Sequence, residues 1–137
     1  NGNIIPYDDI NNMNEEEYHG VLARLINING PVQQLMKCSE AFSTLSAECA
    51  KIAVEGTINT EKLAEELADV EINLNILEML ILSSKGTQAF NQLKKDYFDF
   101  KMKKFKNTVE MMEKLLEEQQ LKQADQMRVE RRTEEEN

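Results

Sequence analysis

The chain has 137 residues, and 25 Asp and Glu stand against 16 Lys and Arg, a formal charge of −9. That length suits one domain with a tail, and a hydrophobic fraction of 41% excludes a wholly disordered chain. The acidic balance argues against a general nucleic-acid binder, and no apolar run approaches the ~18 residues of a membrane span.

Residues 1–14 form an N-terminal arm with neither a basic stretch nor an apolar stretch, so a secretory signal is not expected there. Asn14 and Glu17 have the spacing of a capping box, which predicts a first helix over 15–29. Asn29-Gly30-Pro31 ends it, because Gly closes helices and Pro opens them. A second helix is predicted over 31–55, with Leu35, Cys38, Phe42, Leu45, Cys49 and Ile52 spaced alternately by three and four. Gly56-Thr57 breaks the chain again.

A third helix is predicted over 60–84, with Thr60 as N-cap and Glu61 in the first turn. Leu63, Leu67, Val70, Leu74, Leu77 and Ile81 make its stripe. Ile72, Ile76, Met79 and Leu80 widen that stripe, which predicts burial on more than one side. The longest apolar candidate, Ile72 to Leu82, is interrupted by Asn73, Asn75 and Glu78. After Lys85-Gly86-Thr87 a fourth helix starts near Thr87 and continues past Glu117.

No segment alternates with period two, so the fold class is all-α, a four-helix bundle joined by short loops. The wide apolar faces predict a homodimer or higher oligomer. The helical domain is taken as 15–118. From residue 119 the stripe fades among Gln119, Gln120, Gln123 and Gln126 and the closing Arg131-Arg132-Thr133-Glu134-Glu135-Glu136. This reads as a charged helical extension that frays, or as a disordered tail.

Cys38 and Cys49 on one helix would lie ~16 Å apart, beyond disulfide reach. They read as small buried residues of a cytoplasmic protein. His19, the single histidine, has no partner nearby in sequence, and there is neither a glycine-rich phosphate loop nor an HExxH motif.

The acids of the third helix are the strongest candidates for chemistry. Glu61, Glu65, Glu66, Asp69 and Glu71 crowd its first half, and Glu66 and Asp69 share a face at i,i+3. Two carboxylates so placed can share a Mg²⁺ ion, a hard cation that takes oxygen ligands. They also suit a solvated helix N-terminus.

Glu65-Glu66-Leu67-Ala68-Asp69-Val70 resembles the EExxDV motif of the MazG-like all-α nucleoside triphosphate pyrophosphohydrolases, in particular the short phage-type members. Upstream, Asn29 to Leu35 is similar to the family's glycine followed by a Gln-Leu helix start. Downstream, Lys95 to Phe105 is similar to its basic segment. The resemblance implies a four-helix unit that dimerises and cleaves NTPs or dNTPs to the monophosphate and pyrophosphate. It implies Mg²⁺ held by acids of two facing helices, here Glu66 and Asp69, which would be catalytic through the metal. It further implies that Lys101 and Lys104 contact phosphate. In such chemistry the metal clamps phosphate oxygens and activates water, while lysines offset developing charge.

The first half of the family's ligand pattern departs from the motif. Glu40 keeps one acid, but Ala41 and Thr44 stand where metal-binding acids are found. Glu48, on the face of Ala41 and Thr44, is a candidate third ligand. Lys101 and Lys104 also fit a helix with aromatic residues buried and lysines in water. Two readings follow. One is a Mg²⁺-dependent pyrophosphohydrolase with weakened or lost activity. The other is a non-catalytic helical interaction or regulatory protein that binds a protein partner or a nucleotide.

Overall fold

A computed structural model describes residues 13–82 and 87–136. Most of the N-terminal arm and the Lys85-Gly86-Thr87 break fall outside the described residues, apart from the backbone of Thr87. The described residues form α1 (Glu15–Asn29), α2 (Pro31–Glu55), α3 (Thr60–Leu82) and α4 (Thr87–Glu136), and no strand occurs among them. The chain divides into two compact units, one up to Gly86 and one from Thr87.

The punctuation acts through specific groups. Asn14 Oδ1 accepts the Glu17 N–H at 2.9 Å, and Glu15, Glu16 and Glu17 fill the first turn of α1, where negative charge suits the helix dipole. Gly30, at φ 82° and ψ 158°, turns the chain out of α1, and its N–H donates to Ile26 O at 2.8 Å. Only glycine adopts that backbone conformation readily. Pro31 then opens α2. Gly56, left-handed at φ 73°, closes α2 with its N–H on Ile52 O at 2.7 Å. The side-chain cap of α3 is Asn59, whose Oδ1 accepts the Lys62 N–H at 3.2 Å, one residue earlier than the Thr60 expected from sequence.

In the first unit α2 and α3 run antiparallel. The Cys38 thiol donates to Asn73 O at 3.5 Å, and Glu48 pairs with Lys62, so residue numbers fall on one helix as they rise on the other. The seam buries Gln34, Cys38 and Glu48 from α2 and Glu66 and Ile76 from α3, with Leu45, Ile52, Leu63, Val70 and Leu77 half-buried beside them. Helix α1 packs against both but contributes no buried residue. Its C-terminus is tied to α2 by a hydrogen bond from Asn29 Nδ2 to Gln34 Oε1.

The seam takes up part of the expected apolar stripes and leaves part of them exposed. Leu35, Leu67 and Leu74 are 44%, 48% and 48% exposed. Cys49, expected to be buried, is exposed and free, while Cys38 is buried and free. The cause is polar pairing. Cys38 and Glu48 find partners across the seam on α3, Gln34 finds one at Asn29 on α1, and Cys49 lies about 100° around the helix from Glu48.

Helix α4 is 50 residues long. It continues through residues 119–136. Among the described residues no helix is long and apolar enough to cross a membrane.

Candidate functional site

The sequence places acids on both sides of the α2–α3 seam, and the fold brings two of them into it. Glu48 is 5% exposed, and its Oε2 lies 2.9 Å from Lys62 Nζ. Glu66, one turn after Lys62 on α3, is 9% exposed, and its Oε2 is buried with no hydrogen-bond partner among the described residues. The hydrogen bond from Lys62 to Glu48, and then the charge of Glu48, hold the lysine above its ordinary pKa, with smaller contributions from Glu66 and Glu55. The seam therefore holds two buried carboxylates, of which Glu48 is paired with the partly exposed ammonium group of Lys62.

Asp69 does not join them. It is exposed, and its backbone carbonyl accepts from Asn73 Nδ2 at 2.7 Å. The i,i+3 relation places Asp69 near Glu66 along the helix, but the packing of α2 falls on Glu66 alone. With Cys38 opposite Asn73 and Glu48 opposite Lys62, Ala41 comes level with Asp69 and Val70. Ala41 is half-buried. Thr44 is exposed, and its hydroxyl donates to Glu40 O at 2.9 Å within its own helix. Neither supplies a carboxylate to the seam.

Lys101 and Lys104 belong to the other unit, on α4. Lys104 Nζ sits 5.7 Å from the centroid of the Phe100 ring, a cation–π distance. Both lysines are exposed.

Lys62 is the residue that sequence reading missed. Its signal was the i,i+4 relation to Glu66, which is unremarkable on a charged helix until Glu48 arrives from α2. A shallow groove of about 560 Å³ also lies between α1 and α3, lined in part by Tyr18, His19, Leu22 and Ile72. His19 is exposed there.

The donor set can be tested against Mg²⁺. Carboxylate oxygens are the right ligand type, and the unpartnered Glu66 Oε2 is an acceptor open to a cation. Glu48, however, already faces the positive charge of Lys62. Among the described residues no group of three or more His, Cys, Asp or Glu is placed to hold a metal ion. A Mg²⁺ ion shared by Glu48, Glu66 and Asp69 does not fit this arrangement, because Glu48 is paired with Lys62 and Asp69 is exposed outside the seam. Comparison with known proteins finds no family model, no curated protein and no solved structure that matches the chain.

Proposed function

We propose that the protein is a MazG-like helical module in which metal-dependent pyrophosphohydrolysis is weakened or lost, retained for binding a protein partner or a nucleotide. The observation that carries this reading is the 2.9 Å Lys62–Glu48 ion pair beside Glu66. Lys62, 47% exposed at the edge of the seam, already pairs with Glu48, the candidate third ligand. Ala41 and Thr44 agree with it, since they supply no acid across from Glu66 and Asp69. The exposed Leu35, Leu67 and Leu74 of α2 and α3 offer apolar surface to a second copy or another protein.

A second reading, a residual Mg²⁺-dependent hydrolase, is favoured by one observation, the buried and unpartnered Glu66 Oε2. Pyrophosphate release separates the two. The protein is incubated with a panel of NTPs and dNTPs in Mg²⁺, in Mn²⁺ and in EDTA, beside its Asp69→Asn and Glu66→Gln variants. The expected result is no metal-dependent release above the variants. Release that both substitutions abolish would establish the hydrolase and overturn the first reading.

A further inference from the structure

Helix α4 carries an apolar pattern that nothing else in its unit covers. Phe98, Met102, Phe105, Val109, Met112 and Leu116 follow one another at intervals of four, three, four, three and four. That is the a/d repeat of a coiled coil over roughly three heptads, and its 3.5-residue period fits a supercoiled helix partner better than a globular core. These side chains are 50–64% exposed. After Leu116 the same positions fall on Gln119, Gln123 and Gln126, which bounds the stripe.

We propose that this stripe pairs with the same stripe of a second copy of the chain, antiparallel and centred on Asn107. Three arguments select that occupant and orientation.

The first is area. Side chains of this type and exposure present roughly 100 Å² each, so two helices bury about 1,200 Å² together, the lower bound for a stable interface.

The second is volume. The antiparallel register sets Phe98 on Leu116, Met102 on Met112, and Phe105 on Val109 of the second copy. Each large ring meets a smaller side chain. A parallel pair would stack Phe98 on Phe98 and Phe105 on Phe105, and leave Val109 facing Val109.

The third is charge. Residues 94–106 hold six lysines and two aspartates, net +4, and residues 108–120 hold four glutamates and one lysine, net −3. Antiparallel pairing lays the basic half of one helix along the acidic half of the other, within a Debye length. Parallel pairing opposes like with like. Three flanking contacts in the antiparallel register are between like charges, Asp99 with Glu113 twice by symmetry and Lys106 with Lys106 once. In each, one member is already paired along its own helix: Lys95 with Asp99 at 3.5 Å, and Lys106 with Glu110 at 4.0 Å.

The surface lies on α4 and does not depend on the chemistry of the seam. The test uses the full chain. Sedimentation should give a dimer for the native protein. Phe105→Glu with Val109→Glu should at least halve the associated mass while far-UV dichroism keeps its helical signal. A monomeric native protein, or a double variant of unchanged mass, overturns the proposal.

Orientation is read separately in a Cys49→Ser background. Phe98→Cys and Leu116→Cys proteins are treated with a short bis-maleimide, alone and mixed. Linkage only in the mixture is the expected result, because two copies of Phe98 lie about 27 Å apart along the axis in this register. Self-linkage of the Phe98→Cys protein overturns the antiparallel register.

Discussion

Replacing Glu66 with methionine should stabilise the protein. Glu66 is 9% exposed, and its Oε2 has no hydrogen-bond partner among the described residues. A buried acceptor without a partner costs about 1–3 kcal/mol, and more when the group is charged. Methionine matches the length of the side chain, fills irregular space and needs no partner. The attraction between Glu66 and Lys62 is lost, but Lys62 is 47% exposed and keeps Glu48, so that loss is small. The net gain is about 1–2 kcal/mol, which in a unit of this size raises Tm by roughly 5–10 °C.

Glu66→Gln is the control. It removes the charge but leaves a buried polar group, so it should gain less. Melting is followed by far-UV dichroism in EDTA and again in excess Mg²⁺. A fall in Tm for Glu66→Met in EDTA would mean that the carboxylate is partnered, and would refute the reasoning. A Mg²⁺-dependent rise in the native protein that the variant lacks would place a cation on Glu66, against the proposed loss of metal chemistry.

Lys62→Met should destabilise the seam at neutral pH, because it leaves Glu48 buried without its partner. The folded state holds the Lys62 ammonium above its ordinary value of 10.5, so the pair's contribution is complete below that value and is lost as pH rises through the folded pKa. The gap in urea midpoint between native and variant protein should therefore close on the alkaline side, and a gap unchanged there would contradict the assignment. The two thiols should differ sharply in alkylation followed by mass spectrometry. Cys49 is exposed and should react first. Burial pushes the Cys38 thiol up in pKa and shields it, and equal rates would contradict the seam as described.

Helix class and boundaries were legible in the sequence because single residues set them. Asn14, Gly30, Pro31 and Gly56 each act through a local backbone group, and local chemistry is written in consecutive residues. The buried face was harder to read. Apolar spacing pointed to Cys38, Leu45, Ile52, Leu63, Val70 and Leu77, which lie in the seam, but also to Leu35, Leu67 and Leu74, which are exposed, and it did not call for the burial of Gln34, Glu48 and Glu66. Buried polar residues usually have a partner, and for Glu48 that partner comes from another helix, 14 residues along the chain at Lys62. Glu48 was named as a site residue, yet its counter-ion Lys62 was invisible until α2 and α3 were laid side by side. Asp69 shows the converse. Its spacing from Glu66 was correct, but a helix face is wider than the contact that another helix makes on it.

Helix α1 is held to the first unit by a polar clip at Asn29 and Gln34 and by a glycine turn, with no residue of its own buried. Local opening draws on the parts of a fold that bury least. Detaching α1 exposes little new apolar surface, so this step lies well below the free energy of global unfolding. Amides of α1 are therefore expected to exchange with solvent faster than those at the α2–α3 seam. Tyr18, His19 and Leu22 of α1 line the groove beside Ile72, so one wall of that groove belongs to the helix of the unit that buries least.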